Sequence, residues 1–204
     1  MNILLAHGSP DQSHIVQVQA LAKQVSHVLG EEVGSAFLDD EIVPEGARLL
    51  PLFVGDGKHV REDLPKLAEK FSCTLLPGLN QYSQTLAGFA YDFATVESRR
   101  INALFAVYSF DAYESLVAAL HAQNRRCSLV ALASLHSEPS LKTVLQHWKN
   151  EGISAISLQA MVLFEGKTMN RLAAIADEFS ISINPVLSKH PDFSALISNC
   201  LKEK

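Results

Sequence analysis

Apolar runs of strand length alternate along the chain with longer stretches in which apolar side chains recur every three or four positions. That is the pattern of a parallel sheet covered on both faces by helices. In the first half, residues 2–6, 33–38, 48–54 and 73–76 read as strands, 13–29 and 61–71 as helices, and a closing helix starts near 83. Ile15, Val18, Leu21, Ala22, Val25 and Val28 make the stripe of the first helix that faces the core, and Gly30 stops it. In the second half the strands are 103–107, 129–133, 153–163 and 181–184, the helices 112–123, 139–150 and 169–179, and a last helix follows Pro191. Glu138-Pro139 predicts a helix start with proline in its first turn.

The second half repeats the first. Gly57-Lys58-His59-Val60 aligns with Gly166-Lys167-Thr168-Met169 at an offset of 109 positions. KLAEKF at 66–71 aligns with AIADEF at 174–179, and Pro77 with Pro185, at an offset of 108, so one deletion separates the blocks. Upstream, Leu5-Ala6-His7-Gly8-Ser9 aligns with Phe105-Ala106-Val107-Tyr108-Ser109. An ordered repeat of this length implies two similar half-domains, 1–98 and 99–204, each with a four-stranded parallel sheet flanked by helices. The stretch 96–100 between them has no Gly or Pro and predicts a tight join. One element is missing from the first half: between Asp39 and Arg48 there is only DDEIVPEGA, too short for the crossover helix predicted at 139–150.

His7 and His59 lie just past the ends of predicted strands, at the sheet edge where open α/β folds hold ligands. Imidazole there suits a divalent metal, although spacing alone favours His7 as a packed core histidine. Their counterparts in the repeat are Val107 and Thr168, so at most one half carries such a site.

Composition narrows the function classes. A hydrophobic content of 48% supports one sizeable core or two small fused ones. No apolar run reaches membrane-helix length and the N-terminus runs straight into a strand, which predicts a cytoplasmic protein without a membrane partner. A net charge of −5 argues against nucleic acid as a partner. Cys73, Cys127 and Cys200 are widely spaced and read as buried thiols of a reducing compartment.

AHGS at 6–9, AFLD at 36–39, PLF followed by GKHVREDLP across 51–65, and PGL at 77–79 resemble the class II tetrapyrrole chelatases, the sirohydrochlorin cobaltochelatase and ferrochelatase family. The long GxHVxxDxP stretch is the specific part of the likeness. Pro10 departs from the HGSR of many members. The resemblance is to the type in which two halves are fused into one chain, and implies a chelatase-like fold working as a monomer through an internal pseudo-dimer. It implies that His7 and His59 hold the incoming metal, cobalt, iron or nickel, as substrate, with no organic cofactor. Asp39 stands where the family often has glutamate and reads as a third ligand, a proton acceptor or a solvated loop acid.

For the tetrapyrrole, Ser9, Lys58, Arg61 and His136 are the candidate contacts, the two cations either pairing with substrate carboxylates or simply solvated. His14, His27, His121, His147 and His190 are assigned structural or surface roles. Inserting a metal needs ligands that strip water from the ion yet release it to four ring nitrogens, and two neutral histidines with a carboxylate meet that need better than a closed four-ligand site. The implied activity is therefore ATP-independent insertion of cobalt(II) or iron(II) into sirohydrochlorin, a lyase reaction of cobalamin or siroheme biosynthesis. The alternative is a non-catalytic metal or tetrapyrrole carrier on the same fold.

Overall fold

A computed structural model of the chain describes residues 1–8, 11–40, 42–95, 101–123 and 127–202. It contains two four-stranded parallel sheets. The first has strands β1 (Asn2–Ala6), β2 (Val33–Phe37), β3 (Arg48–Pro51) and β4 (Thr74–Leu75), in the order β2-β1-β3-β4, with helices α1 (Gln12–Leu29) and α2 (Leu64–Lys70). After α3 (Ser83–Ala94), the second has β5 (Asn102–Val107), β6 (Leu129–Ser134), β7 (Ile156–Ala160) and β8 (Ser182–Ile183), in the order β6-β5-β7-β8, with α4 (Glu114–Ala122), α5 (Leu141–Asn150) and α6 (Lys167–Phe179). Helix α7 (Phe193–Lys202) closes the chain.

The compact packing units are cut elsewhere than at residue 98. One comprises Met1–Gln81 with Pro191–Lys204, the other Tyr82–His190. Each repeat half thus lends its closing helix to the unit built on the other half's sheet: α7 packs on α1, and α3 packs on α4. Tyr91 of α3 shows why, since its hydroxyl donates to the Leu120 carbonyl at 2.8 Å from a 5% exposed position. Burial, and secondarily the nearby Cys127, pushes its phenol up to about 12.

Leu4, Leu5, Leu49 and Leu50 are fully buried, as adjacent strand residues are when both faces of a parallel sheet are covered. Helix α1 starts where the Asp11 side chain accepts from the Ser13 amide (2.9 Å) and ends where Gly30 turns left-handed at φ 72°. Of its predicted stripe, Val18, Leu21, Ala22 and Val25 are buried, while Val28 is 52% exposed because it lies in the last turn. Helix α5 begins later than predicted: Ser140, not Pro139, caps it, its hydroxyl accepting from the Thr143 amide. Strand β7 is shorter than the apolar run 153–163 because Ala155 takes a positive φ of 54° just before it. Cys200 is buried, whereas Cys73 and Cys127 are only half-buried.

Ladder hydrogen bonds fix the register of the repeat. In the first sheet Leu52 donates to Leu5 and Leu38 to Ala6; in the second Met161 donates to Ala106 and Leu135 to Val107. Ala6 therefore corresponds to Val107, one position from the alignment by sequence, and the counterpart of His7 is Tyr108. By the same ladder Leu38 corresponds to Leu135, so Asp39 corresponds to His136. Gly57 and Gly166 are equivalent, each carbonyl accepting from the amide four residues on, Arg61 and Asn170.

The one-residue change in offset has a local cause. In the first unit His59–Asp63 forms a π-helical turn, in which the Leu64 amide bonds the His59 carbonyl five residues back. A π turn holds one residue more than an α turn. The second unit runs directly into α6 from Gly166 and lacks that residue.

The predicted absence of a crossover helix between β2 and β3 holds among the described residues. Where α5 brings Leu141, Val144, Leu145 and Trp148 to the second core, the first unit uses Val43 and Ala47, 2% and 1% exposed. That loop is tied down by the Gly46 amide to Phe71 and the Cys73 thiol to the Pro44 carbonyl.

Candidate metal centre

His7 follows β1 directly, and His59 opens the π turn eight residues beyond the end of β3. The two strands are neighbours, and the chain leaves β1 first to one side, to β2, and later to the other, to β3. The gap between their carboxyl ends is thus the topological switch point of the sheet, the place where such folds open a binding crevice.

The two imidazoles meet there. Their centroids are 4.6 Å apart and the rings are nearly perpendicular at 78°. Both are exposed, so His7 is not a core histidine held by packing. Nδ1 of His7 bonds the Gly8 carbonyl at 2.5 Å, and Nδ1 of His59 bonds Asp63 Oδ2 at 2.7 Å. Carbonyl and carboxylate oxygens only accept, so Nδ1 carries the hydrogen in each neutral ring. Nε2 then keeps its lone pair in both. An oxygen partner on one ring nitrogen fixes the ring and leaves the other nitrogen open to a ligand.

Neighbouring groups hold these rings in place. Asp63 lies one turn beyond His59 on the same face of the π turn, and Phe53 packs beside the ring at 6.4 Å. His14, on the first turn of α1, has Nε2 3.1 Å from the His7 carbonyl oxygen and so braces the backbone that carries His7. Burial is the main cause that lowers the His14 pKa, opposed by the hydrogen bond to the His7 backbone, and the net lowering favours the neutral ring. Sequence reading gave His14 a structural or surface role on the first helix, without this partner, and gave Asp63 no role. Their i+7 and i+4 spacings from His7 and His59 were the available signals.

Asp39 stands after β2, in a turn stabilised by the neighbouring Asp40, whose carboxylate accepts from the Phe37 amide at 2.8 Å. A Cβ at residue 8 would overlap the Asp39 carboxylate, so this acid lies against the backbone of Gly8 and any side chain there would displace it. No three His, Cys, Asp or Glu side chains among the described residues are grouped to hold an ion. Asp39 therefore stands beside the histidine pair and is not grouped with it as a third ligand.

Of the other candidates, Arg61 pairs with Asp56 (Nε to Oδ2, 3.2 Å) at an exposed position, and Lys58 is exposed at the start of the π turn. Ser9 lies outside the described residues. His136 is in the second unit, past β6, with its ring 4.3 Å from that of Tyr108. His190 stacks on Phe89 at 3.9 Å, a packing role. No helix among the described residues is long and apolar enough to cross a membrane.

Two four-stranded parallel sheets with the same strand order, flanked by helices, make a chelatase-like α/β fold. The chain is similar over 99% of its length to CbiX, the terminal enzyme for biosynthesis of siroheme in denitrifying bacteria, with a TM-score of 0.74, 19% identity and 98% of that chain covered. It is similar over its full length to SirB from Bacillus subtilis, solved with Fe3+, with a TM-score of 0.76, 14% identity and 95% of that chain covered. A third neighbour, the multi-domain DR2241 from Deinococcus radiodurans, has structural similarity to chelatases and two additional domains. It matches at a TM-score of 0.69 and 15% identity over 99% of this chain and 55% of its own. No protein-family model and no curated protein sequence matches the chain.

Proposed function

We propose that the chain is a metal chelatase that inserts a divalent ion, iron(II) or cobalt(II), into sirohydrochlorin without ATP. The observation that carries this reading is the pair of exposed imidazoles with both Nδ1 atoms engaged by oxygen. Two nitrogen ligands leave most positions of the ion open, so ring nitrogens can replace water before the histidines let go. Affinity for such a pair rises along the metal series, so the ligand types do not choose between cobalt, nickel and iron. The likeness of the fold to CbiX and SirB supports the tetrapyrrole as second substrate.

In this mechanism Nε2 of His7 and of His59 present the ion, and Asp63 and the Gly8 carbonyl keep the rings from turning. Two pyrrole N–H protons must leave as the macrocycle takes up the metal. Asp39, whose carboxylate lies against Gly8, is proposed to accept one of them, and the other passes to solvent water. Lys58, Arg61 and Ser9 are proposed to meet substrate carboxylates, and the protein to act as a single cytoplasmic chain. Purified protein at substoichiometric amount, mixed with sirohydrochlorin and each metal, tests the reading by absorbance. Conversion well beyond one equivalent supports it, and a burst of one equivalent that then stops favours a carrier instead.

A further inference from the structure

The register of the repeat places Tyr108 where the first unit has His7, and His136 where it has Asp39. The second unit therefore keeps a polar, aromatic pair at its own strand ends, and one that is unusually well founded. The Ser134 side chain beneath it is 1% exposed; its hydroxyl donates to the Tyr108 carbonyl (2.9 Å) and accepts from the amides of His136 (3.1 Å) and Ser137 (3.0 Å). The Ser137 hydroxyl donates to Ser134 Oγ (2.9 Å) and accepts from the Phe110 amide (3.2 Å). This network fixes the backbone under two side chains that themselves face outward, Tyr108 being 48% exposed. Rigid backbone under exposed rings is how binding groups are preorganised.

One imidazole and one phenol are too few to hold a free ion, and no three-ligand group exists among the described residues. A metal already seated in a macrocycle has four nitrogens in its plane and needs only an axial donor, for which histidine is the usual protein ligand. The Tyr108 ring, 4.3 Å from His136 and tilted by 43°, offers a flat face for the macrocycle itself. We infer that the second unit carries a product site, in which His136 ligates the metal of the metallated tetrapyrrole axially and Tyr108 packs against the ring. The choice of tetrapyrrole rests on the function proposed above; the selectivity for a metallated ring over a free one does not.

The test uses the full chain carrying His7→Ala and His59→Ala, so that the first site contributes no imidazole. Cobalt-sirohydrochlorin and metal-free sirohydrochlorin are titrated in separately, with and without His136→Ala. Loss of His136 should weaken the cobalt complex by about tenfold or more and replace its nitrogen-ligated absorption band, leave the metal-free ring within about twofold, and let added imidazole restore the band. Tyr108→Ala should weaken both ligands and keep the band. An unchanged spectrum and affinity in His136→Ala, or equal weakening of both ligands, would overturn the product site. Because binding is read without turnover, a protein that inserts no metal yet shows this selectivity loses the chelatase reading and keeps a site for a metallated ring, and the reverse result separates them the other way.

Discussion

At the scale of residues, the proposed function turns on which nitrogen each imidazole leaves open. His7→Ala and His59→Ala should each abolish metal insertion with the circular dichroism spectrum unchanged, since both rings are exposed and contribute little to the core. His121→Ala and His147→Ala, exposed on α4 and α5, should remain near wild-type in the same assay. Asp63→Asn removes the carboxylate that orients His59 and should weaken cobalt binding by about 10- to 100-fold, read by calorimetry. Protons compete with the ion for imidazole, so cobalt affinity without tetrapyrrole should fall on acidification. Binding that acidification leaves unchanged would shift the ligand role to carboxylates such as Asp39 and Asp40. His7 and His59 stood out in the sequence because strand ends are readable from apolar runs. Asp63 and His14 did not, because a supporting contact depends on turn geometry that residue spacing alone leaves open.

At the scale of elements, the π turn is the clearest difference between the two units. Its extra residue sets where Asp63 meets His59, so deleting exposed Glu62 should leave the fold intact and reduce cobalt affinity by about tenfold. The sequence showed this residue only as a change of offset from 109 to 108 between aligned blocks. A single inserted residue in a helix has no compositional signature, so its meaning emerged only from the hydrogen bonds. The off-by-one at β1 and β5 has a similar origin: the continuous apolar run of a doubly buried strand aligns almost equally well in either register, and only the ladder decides. Helix α5 is the second contrast. Trp148, 6% exposed in the second core, has no counterpart in the first, and Trp148→Ala should cost about 3–5 kcal/mol by chemical denaturation. Between α3 and α4, Tyr91 is held neutral. A phenol whose folded pKa is raised from 10 to about 12 contributes stability that is complete below pH 10 and is lost as pH rises through 12. Tyr91→Phe should thus lower the melting temperature at pH 7, through the lost bond to Leu120, and make it less sensitive to pH between 10 and 12.

At the scale of the whole molecule, the alternation of strands and helices and the repeat were enough to anticipate two parallel four-stranded sheets, because period and length are properties of the chain. The packing units were not legible. An apolar helix face says that something covers it, and α3 and α7 each lie in the unit built on the other half's sheet. The two units have also diverged in chemistry on a common frame, one with His7, Asp39 and His59 at its strand ends, the other with Tyr108, His136 and Thr168. That division is what a catalyst with separate roles for ion and ring would exploit. The measurement that tests it most directly is anaerobic turnover at about one protein per hundred sirohydrochlorin molecules, with cobalt(II) or iron(II), comparing wild type with the His7→Ala, His59→Ala double variant. The account predicts many equivalents of metallated product from the wild type and only the uncatalysed rate from the variant. Equal rates from the two proteins would contradict it.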